Sequence, residues 1–144
     1  MKLSKSFTLR EMVKSETASR YGISNNPSPE YLVNLQRLCT EVMQPIRDEY
    51  KKPIVISSGY RCPLLNRIVK GVPGSDHLVG AACDFHTVSD TKEDNKKLFN
   101  IILKMIEEEK IEVRQLISEK NYDWIHLSIN NKYHSFKKNQ ILYS

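Results

Sequence analysis

The chain has 144 residues, of which 40% are hydrophobic and 27% charged, so we predict one globular domain spanning residues 1–144. It contains no apolar run long enough for a transmembrane helix, and membrane insertion is not expected. The formal net charge is +5, but the lysines are scattered and no zinc-finger or RNA-binding motif accompanies them. Specific binding of nucleic acid is therefore not expected.

Cysteine usage and the N-terminus suggest a compartment. The cysteines Cys39, Cys62 and Cys83 are odd in number and scattered, which fits a reducing compartment better than a disulfide framework. The first residues include lysines but lack the apolar segment of a secretory signal. We expect a monomer that is made in the cytoplasm without a signal peptide.

The first third of the chain is predicted to be helical. In TLREM, Thr8 and Glu11 form the pattern of a capping box, and Ser28 followed by Pro29 is typical of a helix start. One long amphipathic helix is predicted from there to the KKP segment at residues 51–53. Its apolar stripe consists of Leu32, Leu35, Cys39, Val42 and Ile46, widened by Leu38 and Met43.

Strands and helices alternate in the remainder. Four β-rich runs are predicted to be strands, namely PIVISSGYR, AACDFHTV, IEVRQLIS and DWIHLSI. A short helix is predicted over PLLNRIV and a longer one after Thr91, whereas KGVPGSDH should be an irregular, exposed loop. Residues 130–144 are weakly patterned, and we assign them as a last hairpin arm. The predicted fold class is α+β, with N-terminal helices packed on a small, mostly antiparallel sheet.

Strand alternation separates functional from core side chains. In WIHLSI, Trp124, His126 and Ser128 share one face, and the opposite face is an apolar core face. In AACDF, Asp84 lies opposite to Cys83, so this thiol faces away from Asp84 and has no activating base.

Two histidines and an aspartate form a candidate metal site. His77 lies across a glycine-containing turn from Asp84, and together with His126 they offer three zinc ligands and an open fourth position. By spacing alone this signal is weak, because a strand histidine is more often a core or surface residue. His86 shares the face of Asp84 and is either an outer partner or a partly exposed histidine. His134 in the polar tail carries no assignment.

Three ordered motifs resemble one family. SDHLVGAACD resembles the S-x-H-x-x-G-x-A-x-D signature of the zinc D-alanyl-D-alanine carboxypeptidase family, which includes phage endolysin peptidases that cut peptidoglycan stem peptides. SSGYRCPLLNRIVKGVPGS resembles its SGYR segment and following loop, and QLISEKNYDWIHLS its closing segment. The resemblance covers roughly residues 6 to 130. It implies a fold related to the hedgehog signalling domain.

The resemblance implies a site. His77, Asp84 and His126 would be the zinc ligands. Arg61, from SGYR, would hold a substrate carboxylate or a polarised carbonyl oxygen; the alternative is a surface arginine in a salt bridge. Ser75, Tyr60 and Trp124 are expected to contact substrate, although Trp124 could equally pack.

Two carboxylates, those of Asp123 and Glu119, are candidates for the general base. Members of the family with a clear assignment have a glutamate three residues before the last histidine ligand, where this chain has Asp123. Asp123 is the favoured base, provided that it lies in a turn before the strand. Glu119 is the rival, because short members have a glutamate there and a bend in EKNYD could bring it to the metal.

The resemblance implies zinc-dependent hydrolysis of amide bonds in peptidoglycan stem peptides, of the D-Ala-D-Ala carboxypeptidase or L,D-endopeptidase type. The alternative is a zinc-bearing binding module of the same fold without activity, as the hedgehog domain suggests. We expect a phage or prophage product that acts on the bacterial cell wall after release.

Overall fold

The N-terminal helices begin where their caps predict. The computed structural model describes all 144 residues. Helix α1 (Leu9–Val13) starts at Thr8, whose side chain accepts from the backbone N–H of Glu11 while the Glu11 carboxylate accepts from that of Thr8. The predicted capping box is confirmed. A further short helix, α2 (Glu16–Tyr21), follows a serine cap.

The predicted long helix is confirmed as one continuous helical run. It consists of α3 (Pro29–Arg37), a π-helical segment (Leu38–Met43) and α4 (Gln44–Tyr50), and it ends at Lys51 in the left-handed region, with φ at 65°. The apolar stripe is buried as predicted, with Leu32 partly so; the fully buried members are Leu35, Leu38, Cys39, Val42, Met43 and Ile46.

The sheet has five strands, and the α+β prediction is confirmed. They are β1 (Ile54–Ser58), β2 (Ala82–Thr87), β3 (Gln115–Glu119), β4 (Trp124–Ser128) and β5 (Gln140–Tyr143). Their order in the sheet is β1-β2-β4-β3-β5, and every neighbouring pair is antiparallel except β3 and β5. Strand β4, which carries His126, is therefore central.

The last strand differs from the prediction of a hairpin arm. Strand β5 runs parallel to β3. Both edges of β4 are already occupied by β2 and β3, so a hairpin after β4 has no free edge to pair with. Gln115, the first residue of β3, pairs with Ser128 at the end of β4 and with Gln140 at the start of β5. The chain between β4 and β5 therefore begins and ends at the same end of the sheet, and β5 runs in the same direction as β3.

The remaining helices flank the sheet. Helix α5 (Pro63–Ile68) matches the predicted short helix, and α6 (Lys92–Glu107) is capped by Thr91 as predicted. The prediction of an exposed loop before β2 is wrong at its end, where Asp76–Val79 form a 3-10 helix with Asp76 and His77 buried. The polar side chains there are buried because other segments satisfy them, as described below.

Alternate residues of the sheet build the core. One face of β2 and β4 packs beneath α6 and the long helical run, with Cys83, Phe85, Ile125 and Leu127 fully buried. The other face of the same strands carries Asp84 and His126.

None of the helices is both long and apolar enough to cross a membrane.

Candidate metal centre and substrate cleft

Strand register brings Asp84 and His126 together. In the β2–β4 pair these two residues are direct cross-strand partners, so their side chains leave the same face of the sheet. The Nδ1 atom of His126 lies 2.8 Å from Oδ1 of Asp84. The predicted facing of His126 away from the main apolar layer is therefore confirmed.

A tight turn brings His77 to the same place. Ser75 caps the 3-10 helix through its hydroxyl, which accepts from the N–H of His77, and Gly80 ends it with φ at 75°. A Cβ atom at Gly80 would lie 2.4 Å from the carbonyl oxygen of Tyr31, so the position requires glycine. The chain folds back there and enters β2 towards Asp84.

The tautomer of His77 is set by a backbone carbonyl. His77 is only 2% exposed, and its Nδ1 lies 2.6 Å from the carbonyl oxygen of Gly59. Because a carbonyl oxygen only accepts, Nδ1 carries the hydrogen and the lone pair of the neutral ring is on Nε2. That atom points to Asp84 Oδ1, 3.3 Å away.

The three side chains fit a zinc ion. Their ligand atoms all lie within 4.8 Å of one another. Two ligands on one tetrahedral zinc ion, each bonded at about 2.0–2.1 Å, lie roughly 3.3 Å apart, which is close to the observed contacts of Asp84. Two histidines and one carboxylate are a donor set of catalytic zinc sites, since a fourth position remains for water or substrate.

Asp84 is held as a carboxylate. Burial acts to raise the pKa of this carboxyl group, but its interactions with the imidazoles of His77 and His126 outweigh it. The net effect is a pKa well below the usual range of an aspartate. Asp84 is therefore in the ionised form that metal coordination requires.

Arg61 contacts the outer oxygen of Asp84. Its Nη2 donates to Asp84 Oδ2 at 3.3 Å, Nε to Ser58 Oγ at 3.0 Å and Nη1 to Asn66 Oδ1 at 3.2 Å. Burial lowers the pKa of the guanidinium and the Asp84 charge opposes this. Its side chain is 17% exposed. Three of its five N–H groups are thus engaged within the protein.

Glu119 lines a cleft next to the metal ligands. The residues that border a cavity of about 210 Å³ include Ser75, Asp76, Arg114, Gln115, Glu119 and His126. In the β3–β4 pair Ile117 is opposite His126 and Glu119 is opposite Trp124, so Glu119 is a diagonal neighbour of His126 on the ligand face. The Cα atoms of such neighbours are about 7–8 Å apart, which is within reach of long side chains such as glutamate. The hydroxyl of Ser144 donates to Glu119 Oε1 at 2.9 Å.

Asp123 lies in the turn before β4, but it is not brought to the ligands. Its carboxylate is 52% exposed and pairs with Nζ of Lys92, at 3.0 Å, at the start of α6. Asn95 of the same helix donates to the carbonyl oxygen of Asp123. Since α6 packs on the core face of the sheet, Asp123 is turned to the side opposite His126.

Of the other residues predicted to contact substrate, some lie on the ligand face and some do not. Ser75 borders the cleft, and Trp124 stands on the ligand face opposite Glu119. Tyr60 is only 5% exposed and packs near the ring of Tyr31, with 6.1 Å between centroids. His86 contacts the carbonyl of Thr87 rather than the ligands.

Both core cysteines are poor nucleophiles. Burial, with a smaller contribution from Glu11, raises the pKa of the Cys39 thiol to about 12. Cys83 is fully buried, and burial raises the pKa of its thiol well above the ordinary value. The expectation that Cys83 faces away from Asp84 is confirmed by its place on the core face.

Sequence reasoning missed one polar cluster beside the site. Asp76, which precedes His77, is buried and contacts Arg114 and His134. Arg114 is 38 positions and His134 58 positions away from Asp76 in the sequence, so no local sequence pattern predicts these contacts. The aspartate directly before the candidate ligand His77 is the one signal in the sequence, but the sequence predicts an exposed loop there.

Comparison with known proteins gives a family match. The family model of Peptidase M15 matches residues 5–128, a range that contains the three candidate ligands, Arg61 and both candidate bases. No curated protein matches the chain.

Proposed function

Because the chain belongs to the Peptidase M15 family, whose members are zinc-dependent peptidases, we propose that it hydrolyses amide bonds in the stem peptides of peptidoglycan. The observation that supports this most is the buried cluster of His77, Asp84 and His126, with ligand atoms within 4.8 Å of one another, beside a cleft that also contains Glu119. The three motifs that resemble cell-wall peptidases support peptidoglycan as the source of the peptide.

His77, Asp84 and His126 would hold the ion. Zinc bound there would supply a Lewis acid that polarises the scissile carbonyl and lowers the pKa of a water molecule. Gly59 keeps Nε2 of His77 free of hydrogen, and Arg61 holds the outer oxygen of Asp84. The ligands are thereby oriented before substrate arrives.

Glu119 is the general base of this proposal. Its carboxylate borders the cleft on the ligand face, where it can take a proton from the attacking water and return it to the leaving amine. Asp123 has the same chemistry, but it is paired with Lys92 beside α6. Geometry therefore favours Glu119 over the aspartate that the family pattern favours.

Arg61 is proposed to orient the peptide. Its Nη2 contacts Asp84 and has one further N–H group, so a substrate oxygen bound by that group would be held close to the ligand cluster. Trp124 and Ser75 are proposed to contact the peptide on either side of His126. We propose that the protein acts on the bacterial cell wall after release, in the manner of the endolysin peptidases that its motifs resemble.

Digestion of defined stem peptides tests the function. Zinc-loaded protein should cleave them, a chelator should stop cleavage and added zinc should restore it. Mass spectrometry of the fragments separates the two types, because a carboxypeptidase removes the terminal D-alanine and an endopeptidase cuts within the peptide. Zinc-loaded protein that leaves every stem peptide intact would instead favour the inactive binding module.

A further inference from the structure

A buried carboxylate is the chain neighbour of the first candidate metal ligand and borders the cleft. Asp76 is 5% exposed and precedes His77 in the 3-10 helix. Its Oδ2 accepts from Nη1 of Arg114 at 2.7 Å, and its Oδ1 accepts from Nδ2 of Asn131 at 3.1 Å and from Nδ1 of His134. A buried carboxylate is costly unless it is paired and hydrogen-bonded, and here both oxygens are satisfied.

The three donors come from distant segments. Arg114 precedes β3, whereas Asn131 and His134 belong to the connection between β4 and β5. The side-chain oxygen of Asn131 accepts from the backbone N–H of His134 at 3.2 Å, and Nε of Arg114 donates to the carbonyl of Ser135 at 2.8 Å. The connection is therefore ordered around the carboxylate of Asp76.

The same cluster is tied to the strand that carries His126. The backbone N–H of Arg114 donates to the carbonyl of Ser128, the last residue of β4, at 2.7 Å. The N–H of Ile129 donates to the carbonyl of Ala81 at 2.9 Å. Asp76 thus links the turn that presents His77 to the frame that presents His126.

We propose that Asp76, Arg114 and His134 form a positioning network that sets the separation of His77 from Asp84 and His126. Other contacts also support His77 and its turn, including the hydroxyl of Ser75, the carbonyl of Gly59 and the backbone N–H of Arg61. These orient the N–H, the ring and the carbonyl of His77 from the β1 side or from within the turn. The Asp76 network is the side-chain link from the turn to Arg114, before β3, and to the connection after β4. The inference rests on the proposed metal site.

His134 is the member best suited to a test. Its side chain is 22% exposed, so truncation to alanine leaves a smaller buried defect than a change of Arg114 or Asp76, each of which would leave a buried charge unpaired. His134→Ala should weaken zinc binding by less than the roughly 10–100-fold that follows loss of a group bonded directly to a ligand, because His134 acts on His77 only through Asp76. His134→Asn should restore most of the affinity, because its amide nitrogen can occupy the place of Nδ1.

Tyr133→Phe is the matched control. Tyr133 anchors the same connection through a hydrogen bond from its hydroxyl to Glu30 and through edge contact with Tyr31, without touching Asp76. Loss of the hydroxyl should loosen the connection between β4 and β5 but leave the zinc affinity at the parent value.

The measurement is zinc affinity by competition with a chromophoric chelator, together with the visible spectrum of the cobalt-substituted protein, which reports ligand geometry. Weaker binding and an altered spectrum in His134→Ala, with recovery in His134→Asn, support the network. Parent-like affinity and spectrum in His134→Ala overturn it while leaving the metal site intact. Equal weakening by Tyr133→Phe also overturns it, since any loosening of the connection would then suffice. A parent protein that binds neither metal overturns the proposed function and the network together.

Discussion

The two faces of strands β2 and β4 use the same backbone for opposite purposes. One face carries Asp84 and His126 beside the cleft, and the other carries Phe85 and Leu127 within the core. The residues alternate along each strand, so every functional side chain is flanked by core side chains. Polar groups gather on one side without interrupting the apolar layer on the other.

This arrangement makes the ligand face rigid at little cost to the core. Side chains such as Phe85 anchor the strand from below, and the cross-strand pairing of Asp84 with His126 is fixed by the same register. A one-residue slip would exchange the two faces entirely. Changes on the ligand face should therefore remove function, whereas changes on the core face should remove stability.

The largest effect is expected for the double variant His77→Ala, His126→Ala. It removes two of three ligands, so bound zinc and peptide cleavage should both be lost. Elemental analysis of protein purified without chelator measures the metal, and circular dichroism checks the fold. Full zinc content in a folded double variant would contradict the assignment of these ligands.

Replacement of the proposed base should be nearly as severe. Glu119→Gln keeps the size of the side chain but cannot accept the proton, and general-base catalysis is worth about 10²–10⁴-fold in rate. Stem-peptide cleavage should fall by that order while zinc content is unchanged. Turnover and elemental analysis on the same preparation provide both measurements.

Asp123→Asn is the matched control for that experiment. It makes the equivalent change at the other end of the β3–β4 turn, where the carboxylate pairs with Lys92 at the surface. An exposed ion pair contributes about 0–1 kcal/mol, so stability and turnover should stay near those of the parent. The reverse ranking, with Asp123→Asn inactive and Glu119→Gln active, would assign the base to Asp123.

A core-face change provides the contrasting result. Phe85 is fully buried, and Phe85→Ala should lower the free energy of unfolding by about 3–5 kcal/mol through lost burial and a residual cavity. Urea denaturation measures this loss. The folded protein should still bind one zinc ion per chain, and a loss of zinc from the fully folded variant would show that the two faces are not independent.

Apart from the Asp123→Asn control, Arg61→Lys should have the smallest effect. Lysine keeps the charge but cannot contact Ser58, Asn66 and Asp84 together, so the orientation of Asp84 and of the substrate should suffer. We expect a fall of about 10–100-fold in turnover with little change in the unfolding midpoint. Unchanged cleavage by the lysine variant would make Arg61 a structural residue only.

Local patterns were sufficient for most of the fold. The capping box at Thr8, the stripe of the long helix and the alternation around His126 were all readable, because caps and periodicity act over a few residues. The three candidate ligands could be chosen because a strand places every second residue on one face and because the motifs resemble one family. The structure brings those three together.

Tertiary structure decided what depends on distant partners. The parallel pairing of β5 follows from the occupied edges of β4, which no property of residues 130–144 reveals. Glu119 and Asp123 are separated by the direction in which a turn docks on α6, and that docking rests on contacts with Lys92 and Asn95. The burial of Asp76 depends on Arg114 and His134, far along the chain. The sequence by itself determined which side chains could do the chemistry; long-range packing determined which of them meet, because contact between remote residues depends on the whole path of the chain.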